Sequence, residues 1–392
     1  MRIILTLLLL TLSASLSAQT ATSTDANEWV VVFDDPRPAR LQGWVRSEYG
    51  KTSGNYQSSV ELKRFSKKMA SKYKVELRDE WFIESLGVYC LVVAIGQNES
   101  ETLSKLRQNK SVQWVQPSNE FELFASSLSK ARAVEQSYSE SEISLPDSVN
   151  GEGVVIAIID SAVDENHQDL IGTIRKSDDF VVAGEDNVGG EAHGTAIAGV
   201  MSTQPGSKLG VEGVSPAAKL ELYRACWESS DNQNTNCNTL SLARALDSVI
   251  RSDADILNLS LSGPKDFLLD QLIARIVGEG KMVVAAFDPT RVDGDRFPSE
   301  RNGVLIVRAH GLDSAFAEVF TAPGARVVPV PGNGYNFMHG HSVATAYTSG
   351  LLALRKQAID TNLPGISVQT NWRDTSQSKF AHEIVRELTP KS

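Results

Sequence analysis

Val154-Val155-Ile156-Ala157-Ile158-Ile159 is an unbroken apolar run, five of its six residues β-branched, and it ends on Asp160 and Ser161. Such a run predicts a strand buried on both faces, as in parallel sheets. From Gly151 onward the same reading predicts strands at 154–159, 219–224, 255–261, 281–287, 303–309 and 326–330. Helices are expected between them at 193–202, 239–252, 266–279 and 341–357. In the second of these, Leu242, Leu246, Val249 and Ile250 share one face, suited to packing on a sheet. Alternation of this kind predicts a doubly wound, mostly parallel α/β domain over residues 146–360. Past residue 358 the pattern fades, leaving 361–392 as a C-terminal tail with loop at 371–378 and a terminal helix at 380–388.

Ahead of that domain the pattern differs. Residues 29–33 predict a short strand, 58–74 a surface helix, and 82–95 two strands around Gly87. A helix at 101–108 and a strand at 112–123 complete a small ferredoxin-like α+β unit over residues 28–124. Residues 125–145, rich in Ser, Glu and Ala with no apolar period, read as an exposed linker open to proteolytic processing.

Charge separates the same two regions. The chain carries a net charge of −10, with +1 over residues 28–124 and −11 over 125–392. That balance argues against nucleic acid or an anionic membrane as the main partner, and suggests two domains in electrostatic contact. Residues 1–18 read as a signal peptide: Arg2, a largely apolar run at 3–12, then small residues up to Ala18. No later stretch has the ~18 apolar residues of a membrane-spanning helix. The expected mature protein is exported, either secreted or periplasmic, and monomeric.

Export gives the cysteines meaning. Cys226 and Cys237 bracket a polar stretch that a disulfide would close, with two free thiols as the alternative; Cys90 sits in an apolar run and reads as core. No metal-ligand spacing is present.

Three segments each set a reactive side chain among small residues. They are Asp160-Ser161-Ala162, His193-Gly194-Thr195-Ala196 and Gly340-His341-Ser342-Val343-Ala344-Thr345-Ala346. Singly, each has a plain structural reading as turn former, structural histidine or helix cap. Jointly, an Asp at a strand end and a His and a Ser at helix starts suit a nucleophile, its base and the base's orienter.

These motifs, in the order Asp…His…Ser, resemble those of the subtilisin-like serine proteases. A fourth segment, Ile256-Leu257-Asn258-Leu259-Ser260-Leu261-Ser262-Gly263-Pro264, resembles the family's substrate-binding strand. The resemblance covers roughly residues 151–354. It implies a subtilisin-like fold, a secreted endopeptidase, and polypeptide substrates paired along Ser260, Leu261, Ser262 and Gly263. In position and shape, residues 28–124 resemble the family's inhibitory propeptide, implying a zymogen that removes its own pro-region. The resemblance implies no catalytic cofactor. Calcium occurs in many relatives, but no Asp-rich loop in this sequence matches such a site.

The sequence also departs from the family pattern. His341 stands where Thr is usual, and Ala346-Tyr347 replaces Pro-His. At Ala285-Ala286-Phe287-Asp288 the family has Ala-Ala-Gly-Asn, whose Asn donates to the oxyanion. Asp288 falls at that position and Phe287 at the Gly, where it would narrow the side-chain pocket. An ionised Asp288 would repel the oxyanion, whereas a protonated one could donate to it. The departures allow a second reading, a catalytically impaired pseudoprotease that binds peptides or its own pro-region.

Overall fold

The structure is a computed structural model describing residues 27–37, 60–123, 148–181, 191–206, 211–228, 235–291, 295–298, 303–310 and 320–361. The expected signal peptide, linker and C-terminal tail lie outside the described residues.

The first unit runs β1 (Glu28–Asp34), α1 (Val60–Tyr73), β2 (Glu76–Ile83), β3 (Val88–Ala94), α2 (Glu99–Arg107) and β4 (Val112–Pro117). Its four strands are ordered β2-β3-β1-β4, the ferredoxin-like arrangement. One face carries Val31, Phe33, Tyr89 and Leu91 against Leu62 and Met69 of α1 and Leu103 and Leu106 of α2. The sequence predicts one strand at 112–123, but the chain breaks after Pro117. It resumes as β5 (Glu120–Leu123), which leaves this sheet for another.

The larger unit begins with β6 (Val155–Asp160), β7 (Ile174–Asp179), α3 (His193–Ser202) and β8 (Lys219–Arg224). The hairpin β9 (Cys226–Glu228) and β10 (Thr235–Asn238) follows, then α4 (Thr239–Ile250), β11 (Ile256–Leu259), β12 (Leu261–Pro264) and α5 (Phe267–Gly278). The chain continues through β13 (Met282–Ala286), β14 (Arg296–Phe297), β15 (Leu305–Ala309) and β16 (Phe320–Ala322). It closes with β17 (Ala325–Val330), β18 (Gly334–His339) and α6 (His341–Asp360). Seven strands form one parallel sheet, ordered β16-β15-β13-β11-β6-β8-β7.

Central β6 shows why this sheet forms. Its side chains alternate between two dry cores, as strand geometry requires. Val155, Ala157 and Ile159 join Leu242, Leu246, Leu269 and Ile273 of α4 and α5. Ile156 and Ile158 join Ile197, Met201, Leu351 and Leu352 of α3 and α6 on the other face. The α4–α5 core also takes in Val30, Val32, Trp81, Cys90 and Val92 of the first unit, so the two units share one apolar layer. Cys90 is wholly buried there, and burial pushes its thiol well above the ordinary range.

Polar anchors cross the same boundary. Arg244 reaches Asp79 at 3.1 Å, and Asp247 accepts the Ser85 N–H at 3.0 Å. Gln116 donates to Asp266 at 2.7 Å and accepts the Leu268 N–H at 3.0 Å. Asp266 caps α5, so the first unit docks on that helix start.

Two expected strands of the larger unit differ from the reading. The run 255–261 is divided at Ser260: β11 stays in the parallel sheet, while β12 enters a five-stranded sheet ordered β14-β12-β5-β10-β9. The run at 326–330 is not part of the parallel sheet. As β17 it pairs antiparallel with β18, a hairpin compatible with the missing N–H of Pro329.

A buried ion pair ties the loop after β6 to the segment leading into α3. Glu191 accepts the Ala162 N–H at 2.6 Å and holds Arg224 of β8 at 2.5 and 3.0 Å. Burial works against the Arg224 charge, but its bonds to Glu191 and Asp179 raise its pKa. Removing Glu191 leaves Arg224 only its more exposed partner Asp179, so the cost falls at or below the ~3–5 kcal/mol of a broken buried pair. Glu191→Gln is therefore expected to lower stability by about 3 kcal/mol, read as a lower denaturant midpoint with unchanged slope.

Candidate active site

Asp160, His193 and Ser342 arrive from the end of β6, the first residue of α3 and the second residue of α6. All three are buried, at 1%, 5% and 0% exposure. Asp160 Oδ1 lies 2.7 Å from His193 Nδ1 and also accepts the Ser161 N–H at 2.7 Å. With Nδ1 donating to the carboxylate, neutral His193 presents Nε2 as an acceptor. Among the described residues Nε2 has no hydrogen-bond partner.

Close approach needs small residues, and the sequence supplies them. A Cβ on Gly194 would lie 2.4 Å from the Ser161 carbonyl oxygen, so only glycine lets α3 abut the loop after Asp160. Gly340, the N-cap of α6, has φ 141°, a conformation that side-chain-bearing residues rarely adopt. Its turn starts α6 at His341, which puts the Ser342 N–H in the first helical turn.

Ser342 Oγ donates to the Ser260 carbonyl at 3.1 Å, and Ser260 Oγ donates back to the Ser342 carbonyl at 3.3 Å. Asn258 and Ser349 extend the network: Asn258 Nδ2 donates to Ser260 Oγ, and Ser349 Oγ donates to Asn258 Oδ1. The segment at Ser260 and the start of α6 are thus hydrogen-bonded together. His341 is anchored by the Ala309 N–H, which donates to its Nδ1 at 2.9 Å.

Asp288 has a full set of donors. Its Oδ1 accepts the Thr290 N–H at 2.8 Å and the Thr290 hydroxyl at 2.6 Å. Its Oδ2 accepts Ser262 Oγ at 3.2 Å and pairs with Arg291 Nε at 3.2 Å. Phe287 is buried edge-on to His341 at 5.8 Å between ring centres, with the Arg296 guanidinium 5.2 Å from its face.

One edge of β12 is occupied by the chain's own β5 and the other by β14. Leu261 opposes Leu123 and Ser262 opposes Glu122, antiparallel. On its far side β5 pairs with β10, where Asn236, Cys237 and Asn238 oppose Glu122, Phe121 and Glu120. Phe121 is wholly buried, 5.4 Å from Phe297 and against Gly263, where a Cβ would sit 2.3 Å from its ring. Cys226 and Cys237 form a disulfide across the β9–β10 hairpin.

Sequence reading names the triad and β12. It misses Glu191, the pairing of β10 with the far edge of β5, and Glu228, whose Oε1 accepts the Ala192 and His193 N–H groups at 2.7 and 3.2 Å. These carboxylates are isolated among 48 acidic residues, and no local pattern marks them. Among the described residues, no cluster of three or more His, Cys, Asp or Glu side chains is arranged to hold a metal ion. No described helix is long and apolar enough to cross a membrane.

Comparison with known proteins agrees with this architecture. Fervidolysin from Fervidobacterium pennivorans, described as a keratinolytic enzyme related to subtilisin, superposes with a TM-score of 0.61 at 18% identity. That match covers 86% of this chain and 55% of fervidolysin. The epidermin leader peptide processing serine protease of Staphylococcus aureus gives 0.58 at 16% identity, covering 94% and 100%. Both likenesses concern the fold. In sequence, a thermophilic serine proteinase from Bacillus sp. (strain AK1) is 29% identical over 212 residues, 52% of this chain and only 52% of that protein. Subtilisin BL from Lederbergia lenta is 28% identical over 240 residues, 59% of this chain and 86% of that protein. The profile of the subtilase family matches residues 151–387, and the chain therefore belongs to the subtilase family.

Proposed function

We propose that this chain is an exported serine endopeptidase made as a zymogen, with Ser342 as nucleophile, His193 as general base and Asp160 as its orienter. The observation that carries the reading is the buried 2.7 Å Asp160–His193 hydrogen bond, which turns Nε2 into an acceptor. In the described state the Ser342 hydroxyl donates to Ser260, so attack begins when it turns to Nε2. His193 then takes the proton as Ser342 Oγ adds to the scissile carbonyl, and later delivers it to the leaving amine. Asp160 stabilises the imidazolium formed between the two steps. The Ser342 N–H, at the positive end of α6, is the oxyanion donor this reading assigns.

Residues 28–123 act on this reading as a built-in inhibitor, with β5 lying where an extended substrate would add a strand. Removal requires cutting the chain between residues 124 and 145. Export fits the closed Cys226–Cys237 bond and the expected signal at residues 1–18. Substrates are polypeptides read chiefly through backbone bonds to β12 and β10.

A second reading, the pseudoprotease, is favoured by Asp288. Its oxygens accept from Thr290 and Ser262 and face Arg291, which suits an acceptor and not an oxyanion donor. Fluorophosphonate labelling separates the two readings, because the reagent requires an activated Ser342. Labelling of the processed protein is the expected result, and a folded, unlabelled protein would establish the pseudoprotease.

Two variants extend the test. Wild type is expected to shorten by a cut after β5, whereas Ser342→Ala stays full length on mass spectrometry; identical maturation of both would exclude self-processing. Asp288→Asn is expected to raise kcat on an extended peptide by about tenfold or more with little change in KM, since one oxyanion donor is worth about 10²–10³ in a member of this family. An unchanged kcat would place the carboxylate outside the reaction.

A further inference from the structure

The start of α3 lacks a cap of its own. Its N-cap is Ala192, which makes no side-chain capping bond, and the first turn holds no acidic residue. The donors there are met from two other parts of the chain. Ser161 Oγ, in the loop after Asp160, accepts the Gly194 N–H at 3.1 Å. Glu228 Oε1 accepts the Ala192 N–H at 2.7 Å and the N–H of His193 itself at 3.2 Å.

Glu228 is the last residue of β9. In the hairpin it opposes Thr235, Trp227 opposes Asn236, and Cys226 opposes and is bonded to Cys237. The other edge of β10 pairs with β5 in the cleft. One covalently closed hairpin therefore touches the chain in the cleft on one side and the backbone of His193 on the other.

We propose that Glu228 is a positioning residue for His193, and that the Cys226–Cys237 bond keeps it on target. The inference rests on the reading of His193 as the base. A carboxylate that takes two N–H groups at a helix start makes charge-assisted bonds along the favourable direction of the helix dipole. It fixes where α3 begins, and with it the root of the His193 side chain. Strands of three and four residues are too short to hold a hairpin rigid unaided, so the cross-strand disulfide supplies the constraint. Glu228 itself touches no reacting atom. Its effect passes through the position of Nε2, and a displacement on the scale of 1 Å at a catalytic group costs on the order of a hundredfold.

The test uses the full chain, expressed and processed, with kcat and KM measured on an extended peptide and fluorophosphonate uptake and thermal melting alongside. Glu228→Ala is expected to lower kcat by about tenfold to a hundredfold with KM within about twofold. Glu228→Gln keeps an oxygen able to accept both N–H groups and should recover most of the loss. The paired Cys226→Ser, Cys237→Ser variant should lose kcat in the same sense. Adding Glu228→Ala to that pair should then cost little more, because coupled positions are not additive. Should Glu228→Ala fail to accumulate folded, Glu228→Asp, which keeps the charge but shortens the reach, is expected to fall below Glu228→Gln in kcat. Wild-type kcat in Glu228→Ala, a loss confined to KM, or a Gln variant no better than Ala would overturn the proposal. Losses that multiply between Glu228 and the cysteines would overturn the disulfide's part in it. A folded wild type that takes up no fluorophosphonate would overturn both this proposal and the reading of His193 beneath it. Normal uptake with unchanged kcat in Glu228→Ala would overturn this proposal alone.

Discussion

A carboxylate at the end of a strand buried on both faces must find donors, and in this chain Asp160 finds them in His193 Nδ1 and the Ser161 N–H. The rest of the architecture follows from keeping that bond short. β6 lies inside the parallel sheet, between β11 and β8, which fixes the acid from both sides. α3 must then approach the loop after β6 closely enough that Gly194 has no room for a Cβ. The buried Glu191–Arg224 pair ties the same loop to the segment that enters α3. Asp160 and His193 are thus held by the framework of the sheet and do not depend on each other alone.

The surroundings of Ser342 are built differently. Ser342 reaches the site on α6, a twenty-residue helix packed into the core opposite α4 and α5, and its local partner is Ser260 at the break between β11 and β12. That break does two things at once. It frees the Ser260 carbonyl for the Ser342 hydroxyl, and it carries the chain out of the parallel sheet so that β12 can present an antiparallel edge. The polar network through Asn258 and Ser349 satisfies the groups that the break exposes inside the core.

How much of this was legible depends on how the residues carry their signal. The flanking helices and the ends that carry Asp160, His193 and Ser342 were, because Asp160 ends an apolar run and His193 and Ser342 head stretches of small residues, all local patterns. The ferredoxin-like unit was legible for the same reason, down to the turn at Gly87. The break at Ser260 was not, since 255–261 alternates as one strand in the sequence and the partner that Ser260 meets at the break, Ser342, lies far along the chain. β7, with alternating partly buried and exposed positions on a sheet edge, has too little apolar pattern to register. β9 and β10 are short and polar, and their importance comes from what they touch: β5 on one edge and, through Glu228, α3 on the other. At 326–330 the pattern predicts another parallel strand, because periodicity cannot tell which partner a short apolar segment will choose.

The occupied cleft raises a problem of selectivity. β5 engages β12 and β10 through backbone pairing, which any extended peptide could reproduce. Backbone bonds therefore cannot explain why the chain's own segment fills the site. The discriminating contacts lie at and beyond β5: Phe121 sealed between Phe297 and Gly263, Gln116 and Asn119 on Asp266, and the apolar layer shared with α4 and α5. On the zymogen reading, cutting the chain after β5 breaks none of these contacts. The severed unit keeps its docking surface and loses only its tether, so inhibition would outlast the cut and end when the first unit dissociates or is degraded. Activation would then be set by the lifetime of an interface formed mainly by α4 and α5, at a distance from the residues that do the chemistry.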